Sequence, residues 1–489
     1  MKDKVKIVKS KVSIIDSIKK SFHTKKFRGG AYTTLTSIIV IAIILIINII
    51  ITELNIKVDV SSQNLYTLTE ETINLAKGIK DDITIYYFAQ TGGEDSRYAG
   101  IVEKYDALSS KIKVEYKDPI LYPKFASKYV SDTINSDSIL VVNNSNDRAK
   151  YVDYSELSVY EYDYSTYTSY ETGIDVEGQV TSALSYVTKD VLPIVYQVEG
   201  HGEVSISDIL ITALTKANVT TNTLKTISTQ SIPEDCSVLL INAPQNDYTE
   251  EEVNMIKDYL VAGGKAIILV DYEVEGLTNF NSLLNYYGVS LANGIVLENN
   301  SNYYIGQYVN NLLPDINSHT ITSPIKSDKK YVVVPLAKGI VELDTKRSTV
   351  EITPLLTTSE DAFSKVDMED TTITKQSSDI DGPFYLGVAI DETYNGNETN
   401  LVVYSSSFIM DESIIAARSS YGNLDLILNT VNYLAGEEES VSIPAKSTTQ
   451  EYVTLTAAQV NFWASIVVII IPVVILSIGG YVCIKRRKK

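Results

Sequence analysis

The stretch Pro193–Glu203 (PIVYQVEGHGE) decides how the larger part of this chain folds. It opens with a short apolar run, Pro193–Val198, of the kind that forms a strand buried on both faces. Similar runs recur at Ser237–Ile241, Ala266–Val270 and Leu401–Tyr404. Helical patterns lie between them at Ile206–Ala217, Glu250–Ala262 and Leu277–Tyr287. Apolar strands that alternate with helices predict an α/β domain with a doubly wound parallel sheet.

We predict that this second domain covers residues 191–440, with a β-rich insertion around residues 297–391. The helical pattern Asn423–Leu434 should close it. Gly263-Gly264 follows a predicted helix and leads into a strand, which is typical of a helix C-cap. It is not a phosphate-binding loop, because the sequence has no Gly-x-x-x-x-Gly-Lys-Ser/Thr motif.

The preceding part, residues 53–190, is predicted to form a separate α/β domain. Strand patterns at Ile83–Phe88, Ile112–Tyr116 and Ser138–Val142 alternate with helical ones. Thr67 or Thr69 could cap the first helix. The order of elements is compatible with a thioredoxin-like layout. The sequence has no Cys-x-x-Cys motif, so this layout implies no redox role.

Two apolar runs lie near the ends of the chain. The first is centred on Leu35–Ile51 (LTSIIVIAIILIINIII) and the second is Phe462–Ile484. Each is close to the roughly 20 residues that cross a bilayer as a helix. We therefore predict transmembrane helices at residues 32–52 and 462–484, the second preceded by a linker over residues 441–461.

Charge predicts the orientation of both helices. The basic segment 1–31 contains ten Lys and Arg residues against two Asp, and the tail 485–489 is entirely basic. Basic residues beside membrane spans mark the cytoplasmic side. We therefore expect a two-pass protein of the cell membrane, with both termini cytoplasmic and residues 53–461 extracytoplasmic. The segment 1–31 could also contact anionic lipid or an ATPase.

The whole chain has a net charge of −19 although both of its ends are basic. The acidic residues therefore lie mainly in the predicted external part. Such a charge disfavours binding to nucleic acid, and a solvated acidic surface explains it. Cys483 lies in the second apolar run, so Cys236 is left without an internal disulfide partner.

Polar residues follow the predicted parallel strands, where ligands bind in open α/β sheets. From these we single out Glu199, His201, Glu203, Asp271 and Ser405 as candidate ligand- or partner-binding residues. They are polar and acidic, which suits a cation, a hydroxylated ligand or a peptide better than a phosphate. The Gly-His-Gly-Glu turn, 200–203, could let a ligand approach the backbone closely. It could equally be a tight turn that caps the next helix.

Signs of catalysis are weak. The chain has three histidines, with no His-Glu-x-x-His and no Gly-x-Ser-x-Gly motif. Cys236 precedes a predicted strand, which favours a packing role. The pair Glu199/Glu203 could serve a glycosidase-like mechanism, but carboxylates are common throughout this chain. We predict no catalytic residue, no metal site and no cofactor.

The segment Tyr151–Tyr170 contains seven tyrosines in twenty residues. Tyr160, Tyr162 and Tyr164 alternate, so they would share one face of a strand. That face could form an aromatic platform for a sugar or a partner. The other interpretation is a half-buried sheet or hairpin, because Tyr favours strands.

Several stretches resemble the GldG-like auxiliary proteins of ABC transporters. They are Lys26–Gly30 before the first apolar run, Asn64–Thr72, Ile83–Phe88, Val198–Glu203, Leu260–Lys265 and the C-terminal apolar run with its basic tail. The resemblance implies a membrane-bound accessory subunit that works beside a separate ABC permease and ABC ATPase. It also implies a second domain with a glutamine-amidotransferase-like fold that lacks the nucleophile. It supplies no catalytic residues.

The sequence therefore favours a non-catalytic, membrane-anchored accessory component of an ABC transport system, whose external body binds a partner or cargo. Two alternatives stay open. One is a membrane-tethered cell-wall hydrolase, and the other is a stand-alone surface sensor or structural protein.

Overall fold

The computed structural model of the protein describes residues 36–46, 59, 64–125, 128–130, 133–163, 167–370, 372–417, 420–436, 443–448 and 455–487. The chain divides into two compact units, residues 1–62 and residues 63–489. The described part of the first unit is the helix α1 (Thr36–Ile46) together with residue 59. All other described elements belong to the second unit.

The second unit is built from helices and several sheets, which confirms the predicted α/β class. Its helices are α2 (Glu70–Gly78), α3 (Ser96–Leu108), α4 (Val176–Thr188), α5 (Asp208–Lys216), α6 (Glu250–Val261), α7 (Thr278–Tyr286), α8 (Ser323–Ser327), α9 (Glu412–Ala416), α10 (Asn423–Leu434), α11 (Ala457–Ser465) and α12 (Ile471–Arg487). A π-helical segment, Ile466–Ile470, joins the last two.

The strands are β1 (Ile83–Phe88), β2 (Ile112–Lys117), β3 (Ile139–Asn143), β4 (Ala149–Val152), β5 (Ser158–Asp163), β6 (Thr168–Ile174), β7 (Ile194–Glu199), β8 (Thr220–Lys225), β9 (Val238–Asn242), β10 (Lys265–Leu269), β11 (Val289–Leu291), β12 (Ile295–Leu297), β13 (Tyr304–Ile305), β14 (Tyr308–Leu312), β15 (Asp315–Ile316), β16 (Val334–Pro335), β17 (Ile340–Glu342), β18 (Val350–Thr357), β19 (Phe363–Lys365), β20 (Ile380–Asp381), β21 (Tyr385–Tyr394), β22 (Asn397–Tyr404) and β23 (Lys446–Ser447).

The first four strands form one sheet in the order β2-β1-β3-β4. β1 pairs parallel with β2 and antiparallel with β3. Thr69 caps α2, because its hydroxyl accepts a hydrogen bond from the amide of Thr72. Helices α2, α3 and α4 contribute buried side chains to one core with β1 and β3, among them Ala76, Tyr105 and Leu184. Burial of this shared apolar surface supplies the main driving force for the packing.

The large sheet has five parallel strands in the order β22-β10-β9-β7-β8. β8 does not appear among the predicted strands, because its sequence (TTNTLK) is mostly polar and exposed at the sheet edge. Strands β21, β17 and β18, from the part predicted as a β-rich insertion, continue the same sheet in antiparallel pairing.

Helices cover both faces of this sheet. One core contains Ile267 of β10 with residues of α5 and α10, and the other contains Ile268 with residues of α6 and α7. Successive side chains of a strand point to opposite faces, so each apolar strand serves both cores. This explains why the sequence shows continuous apolar runs rather than alternation.

Two partly buried ion pairs lie where the chain returns from the large sheet toward its C-terminal helices. Lys216 Nζ lies 2.6 Å from Asp175 Oδ1 and donates to the carbonyl oxygen of Ile443 at 2.9 Å. Lys446 Nζ lies 2.7 Å from Glu177 Oε2. Strand β23 pairs with β6, which together with β5 forms a third sheet. These contacts attach the segment before α11 to the body of the second unit.

One helical span in the described residues, Ala458–Gly479, is long and apolar enough to cross a membrane. Its 22 residues have a mean hydropathy of 2.7 and none of that apolar window is buried in the rest of the protein. The other predicted span is described only as the shorter helix α1, and the rest of it lies outside the described residues. The C-terminal helix thus has the length and the composition of a membrane span. The two-pass arrangement stays a prediction.

Candidate functional site

The turn after β7 fills the space between the ends of two neighbouring strands. β8 lies on one side of β7 and β9 on the other, so the winding of the sheet reverses there. Ligands of open α/β sheets bind at such a reversal. Here the carbonyl oxygen of His201 accepts hydrogen bonds from the amides of Gln245 and Asn246, both at 2.9 Å. The turn itself therefore occupies the usual ligand position.

Gly202 makes this close contact possible. Its φ of +78° lies in the left-handed region that favours glycine. A Cβ added at this position would lie 3.0 Å from the Cβ of Gln245. The glycine of the predicted ligand-binding turn thus leaves room for the chain's own Gln245 side chain.

The side chains of His201 and Glu203 belong to a buried polar cluster, together with Tyr248 and Glu252. Glu203 Oε1 accepts a hydrogen bond from the Tyr248 hydroxyl at 2.6 Å, and Oε2 accepts one from the His201 amide at 2.8 Å. His201 Nε2 lies 3.2 Å from Glu252 Oε2. The His201 and Tyr248 rings pack with their centroids 4.1 Å apart. The side chains of His201 and Glu203 are only 7% and 1% exposed.

The electrostatics of this cluster fit a structural role. Burial by itself would raise the pKa of Glu252, but hydrogen bonds from Thr249 and the neighbouring His201 ring outweigh it and lower the pKa below its ordinary value. Burial and the Glu203 carboxylate raise the pKa of Tyr248 far above its usual range. The phenol therefore stays protonated and donates to Glu203. Thr249 and Glu252 also form a capping box that begins α6.

Asp271 lies outside this cluster, on the wall of an open cavity of about 330 Å³. Its Oδ2 accepts a hydrogen bond from Gln245 Nε2 at 2.9 Å, and its Oδ1 accepts one from the Glu273 amide at 2.9 Å. Gln245 thus connects Asp271 indirectly to the His201 turn. The cavity is lined by the loop Asp271–Leu277, the segment Leu291–Gly294 and single residues from elsewhere, among them Phe280, Lys338 and Val366.

Ser405 and Glu199 occupy different surroundings. Ser405 is fully buried, its amide donates to Leu386, and its carbonyl oxygen accepts from the amide of Lys338 at 3.0 Å. Glu199 is half-buried at the end of β7, opposite Lys225 of β8. The structure therefore brings His201 and Glu203 together, while Asp271, Ser405 and Glu199 lie in three other places.

Three residues near these positions are absent from the predicted set. Tyr248 and Glu252 complete the buried cluster, and the sequence signal for Glu252 is the capping pattern Thr249–Glu252. Lys338 lines the cavity, and its signal is a lone lysine inside the apolar stretch Val332–Val341. An isolated charge in an apolar stretch indicates a buried ion.

Cys236 is half-buried beside the Tyr259 hydroxyl, whose oxygen lies 3.6 Å from Sγ. Burial raises the pKa of this thiol. A reactive thiol needs the opposite shift, so this environment suits packing. Within the described residues, no group of three or more His, Cys, Asp and Glu side chains is arranged to hold a metal ion.

The tyrosine-rich segment forms the hairpin β5–β6. Tyr160 pairs with Glu171, whereas Tyr170 pairs with Glu161. Cross-strand partners share a face and neighbouring residues do not, so Tyr160 and Tyr170 lie on opposite faces. Tyr160 is exposed. Tyr164 and the side chain of Tyr162 lie outside the described part of the chain, so the predicted row of three stays a prediction.

Comparison with known families bears directly on the large sheet. Residues 193–430 match the family model described as "ABC-type uncharacterized transport system". The match confirms that this chain resembles the auxiliary proteins of ABC transport systems, and it supports an accessory role in such a system. Residues 62–160 match a family described as a domain of unknown function (DUF7088). A search of curated proteins finds no significant match.

Solved structures are similar only at a low level. The chain aligns with the mmIFT52 N-terminal domain at 16% identity and a TM-score of 0.38, over 49% of this chain and 97% of that one. PurLQS from Thermotoga maritima aligns at 13% identity and a TM-score of 0.27, over 50% and 100%. A ThuA-like protein from Parabacteroides merdae aligns at 10% identity and a TM-score of 0.28, over 53% and 92%.

Proposed function

We propose that this chain is a non-catalytic, membrane-anchored accessory subunit of an ABC transport system. The observation that carries the proposal is the family match over residues 193–430, which includes the whole large sheet from β7 to β22. A permease and an ATPase on separate chains are its partners, and the folded body binds one of them or the cargo. We propose that this role is similar to that of the GldG-like auxiliary proteins.

The anchoring half of the proposal rests on the C-terminal helix and on charge. The helix Ala458–Gly479 has the length of a bilayer span, and the basic tail 485–489 follows it after five uncharged residues. With the basic segment 1–31 on the same side, residues 53–461 face away from the cytoplasm. The topology supports the finer fold assignments: the β2-β1-β3-β4 sheet suits a thioredoxin-like domain, and the five parallel strands suit a doubly wound, amidotransferase-like domain.

The proposal that the chain is non-catalytic rests on the hydrogen bonds and the burial of its candidate carboxylates. Both oxygens of Glu203 accept hydrogen bonds from protein groups, and its side chain is shielded from solvent. A general acid or nucleophile needs contact with substrate, which Glu203 lacks here. A cell-wall hydrolase would have to use Glu199 or Asp271 instead, and these lie in separate surroundings.

Co-purification tests the partnership. The tagged full-length chain is isolated from membranes of its native host in a mild detergent, and the eluate is analysed by mass spectrometry. We expect an ABC ATPase and a multi-span permease in amounts comparable to the tagged chain. Recovery of neither would overturn the proposal in favour of a stand-alone surface protein. Cell-wall hydrolysis that is lost in Glu199→Gln or Asp271→Asn, with folding intact, would favour the hydrolase.

Cysteine labelling tests the membrane topology in the same host. Ser145 is exposed, so Ser145→Cys should react with a membrane-impermeant maleimide on intact cells. The control is Lys4→Cys, which should react only after the membrane is permeabilised. The opposite pattern, or equal labelling of both, would contradict the two-pass orientation.

A further inference from the structure

The cavity beside Asp271 has the size and position of a small-molecule site. Its volume of about 330 Å³ lies at the lower end of the range, about 300–1,000 Å³, that small-molecule pockets occupy. One wall is the loop after β10, at the carboxyl end of a parallel strand. The opposite wall comes from the segments around Gly294 and Val366, outside the parallel strands. Two separate parts of the fold thus enclose it.

A buried lysine without an anionic partner lines this cavity. Lys338 is only 9% exposed, and its Nζ donates one long hydrogen bond, 3.3 Å, to the carbonyl oxygen of Val274. It forms no ion pair with any residue that the structure describes, although an ammonium group has three donors. Burial disfavours the charged form and lowers the pKa of Lys338, although the more distant Glu275 and Asp271 carboxylates act in the opposite direction. A charge held in this way is suited to bind an external anionic group.

Two carboxylates that line the same cavity as Lys338 restrict the charge that such a ligand can carry. Asp271 and Glu275 line the cavity and exert a Coulombic effect on Lys338 from beyond ion-pair distance. They would repel a ligand that is only anionic, and Lys338 would repel one that is only cationic. A ligand with one charge of each sign satisfies all three side chains.

We propose that this cavity binds a small zwitterion of the amino-acid class, with its carboxylate on Lys338 and its ammonium group toward Asp271 and Glu275. The binding site is a property of the second unit alone. It goes beyond the proposed accessory role and needs neither permease nor ATPase.

Calorimetric titration of the purified full chain in detergent at neutral pH tests the proposal. The probes are glycine, 4-aminobutyrate and 6-aminohexanoate, which carry the same two charges at increasing separation. Butyrate and butylamine are the singly charged controls. We expect at least one zwitterion to bind, and its affinity to exceed that of both controls by about tenfold or more.

Variants assign the binding to the cavity. Lys338→Met should abolish zwitterion binding, and Asp271→Asn combined with Glu275→Gln should reduce it to the level of butyrate. The matched control is Lys326→Met, which removes an exposed lysine and should bind as the unmodified chain does. Lys338→Gln serves as a second variant if Lys338→Met fails to fold, which thermal unfolding followed by circular dichroism would show.

Two results would overturn the inference. One is no detectable binding of any of the three zwitterions up to about 100 mM. The other is unchanged binding by a folded Lys338→Met or Lys338→Gln variant. Neither result affects the co-purification test, so failure of this inference and failure of the accessory role are distinguishable.

Discussion

The buried cluster around His201 follows β7 and the cavity beside Asp271 follows β10, two parallel strands separated by β9, and their polar groups are satisfied to different degrees. In the cluster, both Glu203 oxygens accept hydrogen bonds from Tyr248 and from the His201 backbone. In the cavity, Lys338 has a single long hydrogen bond to a carbonyl oxygen. Glu203 therefore needs no ligand, although His201 Nδ1 and Glu252 Oε1 of the same cluster are buried without a hydrogen-bond partner among the described residues. Lys338 lines an open cavity with only this one hydrogen bond to a described residue.

This difference shows that a conspicuous motif and an open site need not coincide. The Gly-His-Gly-Glu turn contains residue types that catalytic sites use. In this fold, however, their hydrogen bonds hold the turn after β7 against the segment after β9. The lysine that faces the cavity stands in an apolar stretch with no motif around it. The following variants test this difference between the cluster and the cavity.

The largest effect is expected for Glu203→Ala. It leaves the Tyr248 hydroxyl and the His201 amide buried without an acceptor, and each stranded donor costs about 1–3 kcal/mol. The free energy of unfolding should therefore fall by about 2–6 kcal/mol, measured by urea unfolding followed by circular dichroism. The control, exposed Glu234→Ala, should change it by less than about 0.5 kcal/mol. Equal urea midpoints for the two variants would show that the hydrogen bonds to Glu203 contribute nothing to the stability of the fold.

Next in size is the contrast between two buried lysines. Lys216 pairs with Asp175 at 2.6 Å, so Lys216→Met leaves a buried carboxylate unpaired and should cost about 2–3 kcal/mol, because Lys216 retains some exposure. Lys338→Met removes an unpaired buried charge, so that variant should be at least as stable as the unmodified chain.

Thermal unfolding of both lysine variants in one buffer gives the comparison. If Lys338→Met loses as much stability as Lys216→Met, then Lys338 has a structural partner and the contrast between cluster and cavity fails.

A smaller effect, with a defined pH dependence, is expected for Glu252→Gln. The folded-state pKa of Glu252 is lowered, so its contribution to stability is complete above the unfolded value near 4.5 and is lost as the pH falls through the folded-state pKa. The variant should be about 1 kcal/mol less stable at neutral pH, because it weakens the cap of α6. That difference should shrink as the pH falls below about 4.5. A difference that stays constant down to pH 3 would exclude the Glu252 carboxylate as its source.

The smallest effect is expected for Glu199→Gln. Glu199 is half-buried at the end of β7, outside both the cluster and the cavity. Its substitution should change the free energy of unfolding by less than about 0.5 kcal/mol and leave zwitterion binding unchanged. Loss of binding in this variant would extend the cavity site to β7 and remove the separation on which the comparison depends.

Much of the fold follows from local patterns. The apolar runs at Pro193–Val198, Ser237–Ile241 and Ala266–Val270 each correspond to a strand within one residue at either end. The edge strand β8 is missed because a strand with polar, exposed side chains has no apolar signature. Its pairing with β7 is a backbone property that side-chain patterns do not show.

The candidate site follows from the sequence only in part. His201 and Glu203 are two positions apart in the chain, so their proximity is implied by the motif. Their contacts with Tyr248 depend on where α6 begins, because Tyr248 lies 45 residues after Glu203 in the chain. Lys338 lines the same cavity as Asp271, 67 residues earlier in the chain, because the β-rich region returns onto the sheet.

By itself, the sequence determined the α/β class, the parallel strands with helices between them, the apolar C-terminal helix and the resemblance to ABC auxiliary proteins. These depend on periodicity, composition and motifs, which are local properties of the chain. The tertiary structure decided which polar groups are satisfied by the protein and which face a cavity. That distinction depends on burial and on hydrogen-bond partners distant in the sequence, because a buried charge is stable only where the fold supplies its partner.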